Sequence, residues 1–220
     1  MSALTAAVRS ALADLDTVCS RDPSIQSRSE ALLHPAIPVI WTYRIAHRLH
    51  GRGLRCTARL LSVIARALSG GIEIHPGAHI GRGFFIDHGA GVVIGETAII
   101  GDDVTLFHQV TLGSIGWWHD ATRPEGARRH PQVGDRVTIG ANATLLGPIT
   151  IGSDSVIGAQ ALVMKNIPSG SRVLAPIATA RVVRRPRVSR PLPPQYRLPD
   201  APAPAHTRRQ DRTPAGFPAW

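Results

Sequence analysis

The stretch from Ile72 to Gly113 decides the fold of this chain, and it reads IEIHPGAHIGRGFFIDHGAGVVIGETAIIGDDVTLFHQVTLG. Aliphatic residues recur along it every six positions, and the same period resumes at Val133 and continues to Val163. The thirteen positions in this register are Ile74, Ile80, Ile86, Ile94, Ile100, Leu106, Leu112, Val133, Ile139, Leu145, Ile151, Ile157 and Val163. Glycine directly follows eight of them.

A period of six fits neither an α-helix nor a plain β-strand, whose side chains repeat about every 3.6 and every 2 residues. It is typical of a solenoid whose coils have three short flat sides. In such a coil the aliphatic residue points inward and the next residue, often glycine, turns the corner. The sequence therefore predicts a mainly β solenoid over residues 72–183, with three hexapeptides per coil and about four coils.

The period is broken twice, and each break predicts a loop that leaves the coil. Two extra residues lie within Phe84–Gly91, and fifteen lie between Gly113 and Val133. Inserted residues of a solenoid leave it as loops, and loops on a rigid scaffold commonly carry function. Both insertions contain histidines and charged residues, so we expect the functional site at these loops.

Residues 1–71 predict a separate helical domain. Apolar residues recur at helical spacing in Ala3–Leu15, Val39–Leu49 and Leu54–Leu68. The breaker Asp22-Pro23 ends the first of these patterns, and glycines follow the other two.

Residues 184–220 predict a disordered tail. They contain eight arginines and nine prolines but only two acidic residues, and so account for +6 of the net charge of +10. Such a segment buries too little apolar surface to offset its ordering entropy. A basic tail can bind RNA or anionic lipid, but its composition favours a solubilising role, so nucleic acid is not an expected partner.

The composition predicts a cytoplasmic protein. Its two cysteines, Cys19 and Cys56, lack the spacing of a disulfide framework or a zinc site. The sequence contains no run of eighteen apolar residues, so it predicts no membrane span. The first residues do not follow the pattern of a signal peptide.

Several motifs together make the chain resemble the serine O-acetyltransferase family from about Arg21 to Val183. They are RDPSIQSRSEALL (Arg21–Leu33), YRIAHRL (Tyr43–Leu49), IEIHPGAHIGRGFFIDHGAGVVIGET (Ile72–Thr97), VTLG (Val110–Gly113) and RHP (Arg129–Pro131). The resemblance implies a left-handed parallel β-helix of hexapeptide repeats. It also implies transfer of acetyl from acetyl-CoA to the hydroxyl of L-serine, giving O-acetylserine for cysteine biosynthesis.

The resemblance assigns the catalytic residues. His88 matches the general base, and histidine suits this role because its pKa lies near the working pH. Glu73 matches the carboxylate that orients the imidazole, although many relatives have Asp there. The two are 15 residues apart, close to one coil of 18, so they can lie on adjacent coils. His130 matches a residue that contacts substrate or assists proton transfer.

The charged groups of serine need partners of opposite charge. By resemblance, Arg129 binds the carboxylate, while Asp87 and Asp22 bind the ammonium, so that the helical domain closes the site. Without the resemblance, Asp22 reads equally well as a helix N-cap before Pro23.

The expected contacts to acetyl-CoA also rest on the resemblance, and they involve Gly113, Ala141 and Ala159. The loop residues Trp117 and Trp118 could flank this co-substrate or anchor the loop. No metal is expected, because the four-residue spacing of His75 and His79 has no ligand geometry on a flat-sided coil.

The family implies a homo-oligomer, either a trimer or a dimer of trimers. Relatives that dock the sulfhydrylase do so through a terminal Ile, and this chain ends in Trp220, so we expect that docking to be absent or altered. Three alternatives stay open: another small acceptor such as homoserine or a specialised metabolite, a γ-type carbonic anhydrase, and a scaffold or RNA-binding protein.

Overall fold

The computed structural model describes residues 3–176. The predictions for residues 177–183 and for the tail at 184–220 lie outside this range. The described part begins with four helices: α1 (Ala3–Arg21), α2 (Arg28–Ala31), α3 (Ala36–Gly51) and α4 (Arg55–Leu68). None of the helices described is long and apolar enough to cross a membrane.

The predicted helical N-terminal region is confirmed, and α1 and α3 are longer than the apolar pattern indicated. Helix α1 continues through Arg21 and ends only at Asp22-Pro23. Helix α3 includes Pro38 in its first turn, where a missing backbone N–H does no harm because that turn has no intrahelical acceptors.

Two side chains connect these helices to the first coil. The Tyr43 hydroxyl on α3 donates to the backbone oxygen of Ala78 at 2.6 Å, and the Ser62 hydroxyl on α4 donates to that of Ile74 at 3.0 Å. Both bonds are buried. They therefore fix the two helices against the start of the solenoid.

Fourteen short strands follow, and one helical turn interrupts them. They are β1 (Glu73–Ile74), β2 (His79–Ile80), β3 (Phe85–Ile86), β4 (Val93–Ile94), β5 (Ile99–Ile100), β6 (Thr105–Leu106), β7 (Thr111–Gly113), α5 (Trp117–Asp120), β8 (Gln132–Val133), β9 (Thr138–Ile139), β10 (Thr144–Leu146), β11 (Thr150–Ile151), β12 (Val156–Ile157), β13 (Leu162–Val163) and β14 (Arg172–Val173).

The strands form three parallel sheets, and every third strand from β1 to β13 belongs to the same sheet, while β14 pairs with β12 in the third sheet. The first sheet has the order β1-β4-β7-β10-β13, the second β11-β8-β5-β2 and the third β14-β12-β9-β6-β3. Register pairs such as Ile74 with Ile94, and Ile94 with Leu112, stack the predicted inward positions on one another. The prediction of a left-handed parallel β-helix is thus confirmed.

The glycines after the inward residues reflect how closely the coils approach each other. A Cβ atom on Gly140 would lie 2.6 Å from the backbone nitrogen of Ala159 in the next coil. Real Cβ contacts are not that short, so a larger residue would push the coils apart.

The inward register predicts where the solenoid is sensitive to truncation. Leu145 is fully buried in β10, whereas Leu162 in neighbouring β13 points outward and is 64% exposed. We expect Leu145→Ala to lower the free energy of unfolding by about 2–5 kcal/mol, because it leaves a cavity in the core. Urea denaturation at fixed protein concentration measures this change.

Leu162→Ala is the matched control, and we expect it to cost less than about 1 kcal/mol. Equal losses in the two variants would contradict the assignment of inward and outward positions.

Candidate active site

The two-residue insertion forms a loop at the corner between the third and first sheets. We call this corner, made of residues 87–91, 107–109, 140–142 and 158–160, the His88 corner. Ile86 pairs with Leu106 and Val93 with Thr111, so six residues in this coil face four in the next. The loop is therefore where the broken period predicted it. His88 lies within it at a φ of 58°, with its side chain 74% exposed.

Two neighbours contact the His88 imidazole. Its Nε2 lies 3.6 Å from a carboxylate oxygen of Asp87. Its ring meets that of His108, one coil further on, with centroids 6.0 Å apart and planes at 69°. The sequence analysis did not predict His108, although its position two residues after the inward Leu106 was a usable signal.

His108 has an unusual hydrogen-bonding state. Its Nδ1 is buried and has no hydrogen-bond partner among residues 3–176. A buried polar atom without a partner is costly, so such atoms commonly mark a functional position. Here the atom belongs to a ring that packs against the predicted base.

The helical region brings Asp22 to the same corner. The Asp22 carboxylate accepts hydrogen bonds from the backbone N–H of Ser24 at 2.9 Å and from its hydroxyl at 2.6 Å, and these bonds lower its pKa. The charges of His34 and His88 lower the pKa of Asp22 further. Asp22 therefore caps a turn after α1 and does not start a helix. The alternative interpretation of Asp22 as a helix N-cap before Pro23 is thus excluded.

His34 is a further residue that the sequence analysis missed. Burial lowers its pKa, while the nearby charges of Asp22 and Asp87 act in the opposite direction. Its Nδ1 accepts a hydrogen bond from the backbone N–H of Ala36 at 3.3 Å, so the proton of the neutral ring is on Nε2. The structure thus brings the imidazoles of His34, His88 and His108 together with the carboxylates of Asp22 and Asp87 at this corner.

Glu73 lies close to this corner but contacts a different partner. Its carboxylate pairs with the guanidinium of Arg66 on α4 at 2.9 Å. No hydrogen bond or ion pair joins Glu73 to His88 within the described range. Because α4 packs against β1, the longer Glu side chain can reach Arg66. The contact between Glu73 and His88 stays a prediction.

Arg129 and His130 lie at a different corner, between the first and second sheets. We call it the His130 corner, and it comprises residues 75–78, residues 95–98 and the end of the long loop. His130 is 7% exposed, and its Nδ1 accepts a hydrogen bond from the backbone N–H of Thr97 at 3.2 Å. A side chain at Gly95 would overlap the imidazole. Burial, followed by the charge of Arg129, lowers the pKa of His130, so this ring is neutral near pH 7.

Two carboxylates flank the Arg129 guanidinium. Glu96 lies 2.6 Å from it and Asp120 3.7 Å. The backbone N–H of Arg129 donates to the Thr97 hydroxyl at 2.8 Å, which fixes the residue at the corner. The sequence analysis missed Glu96, although it lies within one of the quoted motifs.

Arg128 supports the loop. Its guanidinium donates to the backbone oxygens of His130 at 3.0 Å, Ile149 at 2.8 Å and Pro148 at 2.8 Å. These bonds use the donors of the Arg128 guanidinium and fix the position of the backbone next to Arg129. Trp117 and Trp118 in the same loop are largely exposed, so they do not anchor it in a core of this chain.

Two of the three residues predicted to contact acetyl-CoA continue the His88 corner along the solenoid. The backbone N–H of Asn142 donates to the oxygen of His108, and that of Gln160 donates to the oxygen of Ala141. Ala141 and the neighbouring Ala159 therefore stack in line with His108. Gly113 lies apart from them, at the end of β7 where the long loop begins.

The first sheet separates the two predicted halves of the site. Strand β4 runs from the His88 corner to the His130 corner, a distance on the order of 15 Å at about 3.3 Å per residue. Asp22, Asp87 and His88 gather at one edge of that sheet, and Arg129 and His130 at the other. One copy of the chain therefore does not bring all the predicted residues together.

The pair His75 and His79 does not converge. The Nδ1 of His75 accepts a hydrogen bond from the backbone N–H of Gly77 at 3.0 Å, and burial lowers the pKa of His75 to about 4. His79 contacts the ring of His47 instead. Within residues 3–176, no three His, Cys, Asp or Glu side chains cluster as metal ligands would.

Comparisons with known proteins agree on one family. Residues 130–165 match the family model described as bacterial transferase hexapeptide (six repeats). The serine acetyltransferase of Helicobacter pylori strain J99 is 48% identical over 174 residues, which cover 79% of this chain and 96% of that protein. The serine acetyltransferase of Mycobacterium tuberculosis is 45% identical over 188 residues, covering 85% and 78%.

Solved structures lead to the same family. The Neisseria gonorrhoeae serine acetyltransferase in complex with serine has a TM-score of 0.70 at 37% identity, covering 80% of this chain and 69% of that one. Isoform 3 from Entamoeba histolytica in complex with cysteine has a TM-score of 0.74 at 36% identity, covering 82% and 62%. With a relative at 48% identity that this chain matches over almost its whole length, the chain belongs to the serine acetyltransferase family of hexapeptide-repeat acyltransferases.

Proposed function

We propose that this chain transfers the acetyl group of acetyl-CoA to the hydroxyl of L-serine, with His88 as the general base. The observation that carries the proposal is the exposed imidazole of His88 on an inserted loop, beside Asp22 and Asp87. The serine bound to the Neisseria relative supports serine as the acceptor. Cytoplasmic location, expected from the sequence, is part of the same proposal.

The reaction is a direct transfer within a ternary complex. His88 takes the proton of the serine hydroxyl while the serine oxygen bonds to the thioester carbonyl carbon. The carbon–sulfur bond then breaks, and the protonated His88 returns the proton to the leaving thiolate of coenzyme A. Ala141 and Ala159 lie along the same corner, where their small side chains leave the backbone open to a bound acetyl-CoA.

Charged partners hold the serine. Arg129 binds its carboxylate, and Asp22 with Asp87 binds its ammonium. Because Glu96 and Asp120 already contact Arg129, the substrate carboxylate takes over part of that guanidinium. His130 is neutral, with Nδ1 accepting from Thr97, and so presents Nε2–H as a hydrogen-bond donor.

The site is completed between two copies of the chain. The His88 and His130 corners lie at opposite edges of the first sheet, too far apart to hold one serine molecule. A cyclic trimer places one corner of each copy beside a different corner of its neighbour. We therefore propose a trimer with three shared sites. Two such trimers can form a hexamer through contacts between their helical regions.

Glu73 orients the His88 imidazole in this proposal. The loop passes close to this part of the chain, since a Cβ atom on Gly89 would overlap the side chain of Ile72, directly before Glu73. Arg66 holds that carboxylate in the chain as described. Orientation of His88 then requires Glu73 to turn from Arg66 toward the loop.

Serine should be the preferred acceptor. With acetyl-CoA and a thiol reagent that reports free coenzyme A, we expect kcat/KM for L-serine to exceed that for L-homoserine by about tenfold or more. The reason is that one extra methylene in a close-fitting site costs about 1–3 kcal/mol. Equal or higher kcat/KM values for L-homoserine would contradict serine as the acceptor and favour another one.

His88→Ala should lower kcat by about 10²–10⁴-fold, because it removes the general base. Steady-state kinetics measures the loss, and circular dichroism tests that the fold persists. His79→Ala is the matched control, since this histidine is exposed on β2, lies outside both corners and has its ring against that of His47. Near-normal turnover of His88→Ala would refute its role as the base.

Arg129→Ala should mainly raise KM for serine, by about 10–100-fold, since a charge-assisted contact to a carboxylate is worth about 1.5–3 kcal/mol. Initial rates at varied serine concentration measure this change. An effect confined to KM for acetyl-CoA would contradict the assignment. Arg82→Ala is the control, because Arg82 forms an exposed ion pair with Asp102 away from both corners.

Co-expression of the two variants tests whether the site is shared. With random assembly at equal expression, about a quarter of all sites, and about a third of those in mixed trimers, combine an intact His88 with an intact Arg129 from the neighbour. We expect activity above that of either variant alone. No gain, in mixed trimers verified by two affinity tags, would place the two residues in one copy or in separate sites.

A further inference from the structure

A cavity of about 350 Å³ lies between α3 and the start of the second sheet, away from the residues of the proposed reaction. Tyr43, Ile80 and Ile100 provide apolar parts of its wall. Its polar side chains come from α3 and from β2. Its volume is in the range of small-molecule sites, which are mostly apolar with a few well-placed polar groups.

The polar lining of the cavity is basic. Arg44, His47 and Arg48 contribute from α3, and His79 contributes from β2, while no acidic side chain of residues 3–176 lines the cavity. Arg44 is already neutralised, because it forms a two-pronged pair with the buried Asp14 at 2.6 and 3.0 Å. Arg48 makes no ion pair within residues 3–176, so its charge is available to a ligand.

The two histidines add donors that an anion would favour. The Nδ1 of His47 lies 2.8 Å from the backbone oxygen of Pro76 and donates to it, so Nε2 donates to an anion only when the ring is protonated. The ring of His79 meets that of His47 edge-on, with centroids 5.1 Å apart. Two imidazoles this close repel each other when both are protonated, and an anion beside them offsets that repulsion.

The cavity is formed before any ligand binds. Tyr43, in its wall, donates its buried hydroxyl to Ala78, and His47 is held by Pro76. Both acceptors belong to the turn that leads into β2, so α3 and the turn are fixed relative to each other. Ligand binding would therefore cost little conformational entropy, because the basic groups are already ordered.

We propose that this cavity binds a small molecule through a phosphate or sulfate group, held by Arg48, His47 and His79. Arginine and protonated histidine form charge-assisted hydrogen bonds to such oxyanions. The apolar wall of Tyr43, Ile80 and Ile100 would contact the remainder of the molecule. None of the described residues that line the cavity belongs to the His88 corner or the His130 corner, although the turn at residues 75–78 of the His130 corner lies directly beside it.

Titration of the full-length protein with inorganic phosphate, and separately with sulfate, tests the proposal. Saturating coenzyme A is present to occupy its own phosphate contacts, and sodium chloride keeps the ionic strength constant. We expect a saturable rise in Tm, because a ligand that binds only the folded chain stabilises it. Arg48→Ala should raise the apparent Kd by about tenfold, in line with the loss of one charge-assisted contact.

Arg52→Ala is the matched control, since Arg52 directly follows α3 and does not line the cavity. His79→Asn is a second variant that also weakens binding but keeps a polar side chain of similar size. A Tm rise that does not saturate, or that is the same in Arg48→Ala and Arg52→Ala, would overturn the proposal. Saturable binding of either anion with the expected loss in Arg48→Ala supports it, and the stronger anion indicates which group the ligand bears.

Discussion

The parallel hydrogen bonding between successive coils is the constraint on which this structure depends. Neighbouring strands must lie about 4.8 Å apart, so each coil has to close in register with the coil below it. Aliphatic residues six apart fill the interior, and glycine at positions such as Gly140 lets the next coil approach. Any additional residue must leave at a corner. Because of this constraint, the two breaks in the repeat form loops at two corners of the solenoid, where side chains are not needed to fill the interior.

The two corners prepare their histidines in opposite ways. His88 is exposed on a short loop, beside the carboxylates of Asp22 and Asp87. His130 is buried against Gly95 and bonded to Thr97, which keeps it neutral and fixed in one tautomer. An exposed ring suits the general base proposed for His88, and a buried ring suits the fixed hydrogen-bond donor proposed for His130. The difference follows from loop length, since two inserted residues barely leave the coil, whereas fifteen can fold back over it.

Arginine pairs modify this arrangement. Arg66 holds the Glu73 carboxylate, and Arg129 lies between Glu96 and Asp120. Both pairs are partly exposed, so each ion pair contributes little to stability and can exchange one partner for another at low cost. Arg128 differs, because its three bonds to backbone oxygens are partly buried and set the path of the loop. Arg128 thus fixes the loop, whereas Arg66 and Arg129 form partly exposed ion pairs that can exchange partners.

The sequence by itself determined the solenoid, its inward register and the two loops, because a six-residue period is a local property that survives without knowledge of tertiary contacts. It also indicated His88, Asp87, Arg129 and His130, which lie inside short motifs. Only the tertiary structure decided that α1 carries Asp22 to the His88 corner and that the two halves of the site lie at opposite edges of one sheet. It alone revealed the partners His34, His108 and Arg66. Their roles depend on which coil or helix packs against which, and no spacing along the chain encodes that.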